Sequence, residues 1–166
     1  MTRISFSGVI VDGVGRHVEL RVPGRGEISQ APSDWPVTLQ KGSLNVRIAR
    51  DGYPDLFAAL GLPKSVQSLD VRPFPAAFEI AQDEFGNNRL MPEPNLPRKG
   101  SAQVWRARLA SQGHEHPCWV LRRYGSRVGE QLELLSELYM RSAFQLVNGQ
   151  SVVVTLERGN VQPDGV

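Results

Sequence analysis

A mainly β fold, a barrel of short strands with one or two short helices, is what this chain predicts. Three observations carry the prediction. Apolar residues recur at every second position in several short runs, the spacing of half-buried strands. The 16 Gly and 12 Pro among 166 residues interrupt the chain often and favour strands joined by turns. Helical patterning is confined to two short stretches.

The first strand is read over Ser5 to Val11, with Ile4, Phe6, Val9 and Val11 as apolar positions. Asp12-Gly13-Val14-Gly15 follows as a turn and His17 to Val22 as a second strand, a hairpin pattern. Pro23 to Trp35, rich in Gly, Pro and Ser, is expected to be a long loop. Val37 to Ile48 returns to strand. Pro54 to Gly61 is the clearest helix: Pro54 suits the first turn, Leu56, Phe57 and Leu60 share a face, and Gly61 and Pro63 end it.

Val66 to Phe74 and Phe78 to Ile80 read as extended. Met91 to Gly100 holds three prolines and is expected to be a surface loop inserted into the domain. Ser101 to Leu109, Cys118 to Leu121 and Leu132 to Leu135 are further strands, with His114-Glu115-His116 as a polar turn. Ser136 is placed to cap a helix running through Phe144. Asn148-Gly149 is a turn signal before Ser151 to Leu156, which alternates cleanly.

The length suits a single domain over residues 1–166, with its core from about Ser5 to Glu157. One cysteine, Cys118, excludes an internal disulfide and suits a reducing compartment. No apolar run approaches the roughly 20 residues of a membrane span, and the first residues lack a signal peptide's apolar stretch. The expected location is the cytoplasm, with no membrane partner. A net charge of +2 is too small to imply nucleic-acid binding by bulk electrostatics. The local cluster Arg122, Arg123 and Arg127 reads as a solvated face or as an anion site.

Gly42-Ser43-Leu44-Asn45-Val46 is the stretch richest in chemistry. Strand alternation sets Ser43 and Asn45 on one face and Leu44 and Val46 on the other. Two neutral hard-oxygen groups suit Mg²⁺, which takes few protein ligands and fills its octahedron with phosphate and water. Upstream, the amides of Gly13 and Gly15 are able to form a concave anion nest; a plain hairpin turn explains the same glycines. A phosphate cradle with magnesium ligands is a nucleotide reading.

Three pieces together resemble the CTP-dependent, archaeal-type riboflavin kinases. They are Ser7-Gly8-Val9-Ile10-Val11-Asp12-Gly13-Val14-Gly15, then Gly42-Ser43-Leu44-Asn45-Val46, then Leu132-Glu133-Leu134-Leu135 followed by Tyr139-Met140-Arg141 and Asn148-Gly149. The resemblance runs from about Ser5 to Glu157. It implies a six-stranded cradle-loop barrel that moves the γ-phosphate of CTP to the ribityl 5′-hydroxyl of riboflavin, giving FMN. It also implies site residues: Gly13, Val14, Gly15, Arg16, His17 and Val18 at the nucleotide phosphates, and Ser43 and Asn45 at Mg²⁺. Leu138, Tyr139, Met140 and Arg141 would meet the cytidine nucleotide, and Glu133 the flavin.

Glu133 would accept a hydrogen bond from the ribityl chain and orient or deprotonate the attacking hydroxyl. From position alone, Arg16 or Arg123 would offset transition-state charge. The chain departs from the family in two places. Arg16 and His17 replace an acidic residue and a third glycine, and Arg122-Arg123-Tyr124-Gly125 stands where the family has a Pro-Glu-Arg-Thr-like stretch. Gly125 there takes the place of a threonine at the flavin. The alternative reading is a non-catalytic nucleotide- or flavin-binding module on the same barrel. Trp105, Trp119 and Tyr124 read as core or rim aromatics. The expected partners are small molecules.

Overall fold

The computed structural model describes residues 3–12, 22–28, 31–40, 44–49, 74–82, 88–91, 102–123 and 131–159. Among the described residues there are eight strands: β1 (Arg3–Val11), β2 (Leu44–Ile48), β3 (Phe78–Gln82), β4 (Asn88–Met91), β5 (Ala102–Ser111), β6 (His114–Arg123), β7 (Gln131–Leu135) and β8 (Ser151–Glu157). The one α-helix among the described residues, α1, is a single turn at Met140–Ala143.

Six of these strands close a barrel. Antiparallel pairing runs β1 to β2, β2 to β7, β7 to β6, β6 to β5, β5 to β8 and β8 back to β1. Closure gives each of the six a paired neighbour on both sides over part of its length, which limits the usual hazard of an exposed sheet edge. β5 shares its second edge. Ala107–Ala110 pair with β8, while Ala102–Val104 pair with β3, which carries β4 as a hairpin.

Alternation fills the interior. Ile4, Phe6, Ile10, Val46, Leu132, Leu134, Val154 and Leu156 are buried in one cluster with Trp105, Leu109, Cys118 and Val120. Gly8 belongs to the same inward row of β1. A β-carbon on it would lie 2.6 Å from a methyl of Val46 and 2.7 Å from the Arg47 carbonyl oxygen, so the close approach of β1 and β2 requires glycine there. Met140 and Leu146 enter the same cluster from the α1 segment.

A second apolar cluster lies outside the barrel, on the far face of β5, β6 and β7. Val104, Trp119, Leu121 and Leu135 are covered there by Phe78 and Ile80 of β3 and by Ile28 and Trp35. Over its described residues, 23–28 and 31–35, the expected loop of Pro23 to Trp35 is thus irregular, with a short 3₁₀ turn at Arg25–Glu27, yet Ile28 and Trp35 are packed as core. Arg106 fastens it. Its guanidinium donates to both carboxylate oxygens of Asp34, Nε to Oδ2 at 2.6 Å and Nη2 to Oδ1 at 3.0 Å. The same group lies 5.1 Å from the ring centre of Trp119.

The hydrogen bond from Arg106 holds the Asp34 carboxyl below its usual range. A carboxyl lowered in the folded state stabilises above its unfolded pKa and loses that contribution as pH falls through the folded value. The stability difference between the wild type and Asp34→Asn should therefore be steady at neutral pH and close below about pH 4. Urea melts at a series of pH values measure it. Both partners are substantially exposed, so the gap is small.

Several sequence expectations change. Both edges of β1 near its end are occupied, by β2 at Gly8–Val11 and by β8 and Gln150 on the other side. The hairpin partner expected at His17 to Val22 falls outside the described residues except Val22, which is not in a strand. Of the strand expected over Val37 to Ile48, residues 37–40 are not strand, Leu44–Ile48 are, and 41–43 lie outside the described residues. His114-Glu115-His116 are strand residues, not a turn. The turn is Gln112-Gly113, with φ of 50° and 80°, the positive pair that a two-residue hairpin turn needs.

The helix expected from Ser136 shrinks to one turn. The Ser136 hydroxyl accepts from the Leu138 N–H at 3.0 Å, a local turn that competes with helix initiation. Gln145, at φ 54°, ends the helix. The Asn148-Gly149 turn is present, with Gly149 at φ 85°. Trp105 and Trp119 are core. The expected helix at 54–61 lies outside the described residues. So does the loop expected over Met91 to Gly100 except Met91, which is instead the last residue of β4, paired with Glu79. No helix among those described is long and apolar enough to cross a membrane.

Candidate functional site

The antiparallel order fixes which loops share an end of the barrel. β1 and β7 finish at the end where β2 begins, and these three strands are neighbours. Asp12 follows β1 there, Leu44 opens β2 there, and Leu138–Arg141 follow β7 there. Three segments far apart in sequence are thus brought to one rim.

Register makes the match residue by residue. Val11 pairs with Asn45, and Asn45 pairs with Glu133. Directly opposed residues in an antiparallel ladder point to the same side. Leu44 and Val46 are buried in the barrel while Asn45 is half-buried, so Asn45 faces outward, as the alternation predicted. Leu132 and Leu134 flank Glu133 in the same way. The Asn45 carboxamide and the Glu133 carboxylate are therefore neighbours on the outer face.

Arg141 ties the helix to the end of β1. Its Nη2 donates to the Val11 carbonyl oxygen at 3.0 Å and stands 3.6 Å from Oδ1 of Asp12. The ion pair itself is weak because Asp12 is largely exposed; the bond to the backbone carbonyl fixes the position. Arg141 is thus a bridging residue and not a free surface cation. Leu138 and Tyr139 are exposed beside it, whereas Met140 is buried in the barrel core. Met140 contributes to that rim through its backbone.

Other candidates are placed less completely. Gly13, Val14, Gly15, Arg16, His17, Val18, Ser43 and Gly125 lie outside the described residues. Arg123 is the last residue of β6, two positions beyond Leu121, the ladder partner of Glu133; its side chain is also outside them.

The chain matches no protein-family model and no curated protein.

Cys118 projects into the barrel core, where burial pushes its thiol up to about 12. It stays protonated at neutral pH and is a poor nucleophile. His116 stacks on Phe144, ring centres 3.5 Å apart and planes at 11°.

Two residues of the outer face escaped the sequence reading. Arg47 lies two positions after Asn45 and Gln131 two before Glu133, and they are themselves ladder partners. The period of two that picked out Ser43 and Asn45 would have reached both.

Proposed function

We propose that this protein is a nucleotide-dependent phosphotransferase of the riboflavin-kinase type, using CTP and Mg²⁺ to phosphorylate the ribityl 5′-hydroxyl of riboflavin. The observation that supports it most is the row Val11–Asn45–Glu133 across β1, β2 and β7, which joins the three sequence segments carrying the resemblance.

In this reading the hydroxyl oxygen attacks the γ-phosphorus, a new P–O bond forms, and the bond to the β-phosphate oxygen breaks to release CDP. The hydroxyl proton passes to the Glu133 carboxylate. Phosphoryl transfer depends chiefly on positioning and charge stabilisation, and here Arg141 holds the stem of the phosphate-binding turn. Asn45 fits Mg²⁺ chemically: its amide oxygen is a hard donor on an accessible face, and magnesium needs only one or two protein ligands beside phosphates. Ser43 would be the second. When bound, the ion neutralises charge on the β- and γ-phosphates. Arg123 and Arg16 would add to that neutralisation. A reducing cytoplasm is the proposed setting, given the single cysteine.

The test is to incubate the protein with riboflavin, Mg²⁺ and either CTP or ATP, and to follow FMN by chromatography. FMN formed faster with CTP is the expected result. No FMN with either nucleotide, from folded protein, would defeat the kinase reading in favour of the binding module. The substitution of Gly125 for the family's threonine is the feature that favours that second outcome.

A further inference from the structure

Gln131 opens β7, and its Oε1 is shielded from solvent with no hydrogen-bond partner. Native proteins seldom leave such an atom unmatched, and each exception calls for an explanation. Its place in the sheet offers one. Gln131 is on the outward face with Glu133, and its ladder partner Arg47 is on that face with Asn45. The four side chains form a two-by-two set. Arg47 is exposed, and no carboxylate among the described residues pairs with it.

The set has a definite chemistry. Gln131 and Glu133 present two oxygen acceptors from one strand, at backbone positions about 7 Å apart by the usual rise per residue. Arg47 presents a cation across from Gln131. A ligand that matches this has several hydroxyls along one chain and an anionic group at or near its end. Hydroxyls donate and accept, so one of them satisfies the Gln131 amide whichever of its two ends is offered. Gln131 as a whole is only partly buried, and its terminal amide turns about a soft torsion that exchanges the oxygen and nitrogen ends.

We propose that Gln131 and Arg47 form the subsite for the hydroxylated chain of the phosphate acceptor. Gln131 holds a hydroxyl within the chain, which sets the terminal hydroxyl at Glu133. Arg47 balances the charge of the phosphate that the chain acquires. This rests on the phosphotransferase reading and adds the residues that choose the acceptor.

The experiment compares riboflavin with lumiflavin, which has the same ring system and a methyl group in place of the hydroxylated chain. Each is titrated by fluorescence into the wild type, Gln131→Met and Gln131→Glu. The wild type should bind riboflavin about tenfold tighter than lumiflavin, the worth of roughly one good hydrogen bond. Gln131→Met should leave lumiflavin binding unchanged and bring riboflavin to within about threefold of it. Gln131→Glu, which keeps an acceptor oxygen, should retain the preference.

Thermal melts of the ligand-free proteins give a second readout. Gln131→Met should melt no lower than the wild type, because the unmatched amide is gone. Should Gln131→Met fail to fold, Gln131→Ala carries the same binding expectation. A full riboflavin preference in Gln131→Met, or none in the wild type, would overturn the subsite alone. Binding of neither flavin by the wild type would overturn the phosphotransferase reading and the subsite with it.

Discussion

Replacing Trp35 with Ala should cost about 3–5 kcal/mol of folding stability. The residue is fully buried although it lies in an irregular segment. Its ring meets Phe78 edge-on, centres 5.1 Å apart, and Trp119 at 4.8 Å. Its indole N–H donates to the Pro23 carbonyl at 2.9 Å. Truncation removes both ring contacts, opens a cavity and leaves that buried carbonyl without its donor. Domains of ordinary stability have about 5–15 kcal/mol in total, so the urea midpoint should fall steeply. Trp35→Phe should fall less, since it keeps an aromatic ring and loses mainly the hydrogen bond. A loss below about 1 kcal/mol for Trp35→Ala would mean that the 22–40 segment is not an integral wall of the second core.

Trp35 also marks where the sequence stops being readable. β2, β7 and β8 were legible because each has one face in the barrel and one outside, so the period of two is visible, as in Val152, Val154 and Leu156. In β1 the apolar positions read as Ile4, Phe6, Val9 and Val11 shift face midway, whereas the buried row is Ile4, Phe6, Gly8 and Ile10. Gly8 carries no side chain to show the period, and Val9 and Val11 are apolar on the outer face. β6 is buried on both faces over Cys118–Leu121. Its alternation vanishes, and only its central residues read as strand. Ile28 and Trp35 obey no period, because an irregular chain buries side chains wherever its path crosses the apolar surface.

Closure of the barrel depends on β1 meeting β8 across almost the whole chain, a pairing that no local pattern encodes. The Gln112-Gly113 turn lacked the Asn-Gly signature that marks such turns, whereas Asn148-Gly149 had it and was found. At the site, alternation placed Asn45 outward correctly. That Glu133 stands opposite it is a register fact, and register joins residues that sequence distance keeps apart.

The largest effect on function is expected at Asn45. In the proposed reaction Asn45→Ala should lower kcat/KM for FMN formation by about 100-fold, as is typical when one preorganised group stabilising transition-state charge is removed. The loss should shrink as Mg²⁺ is raised, because the missing ligand weakens the metal's hold. Folding should suffer by only about 1 kcal/mol, the ordinary worth of a hydrogen bond at a half-exposed site. Asn45→Asp separates the metal from structure. It sets a second carboxylate directly opposite Glu133, and like charges at opposed ladder positions destabilise. One of the two carboxyls should then titrate higher than normal, and the melting temperature without metal should drop. Added Mg²⁺ with nucleotide should restore it, by more than in the wild type, since an ionised oxygen is the stronger hard ligand. Equal Mg²⁺ dependence in the wild type, Asn45→Ala and Asn45→Asp would remove the metal from this face. The row Val11–Asn45–Glu133 would then have to be explained as binding geometry alone.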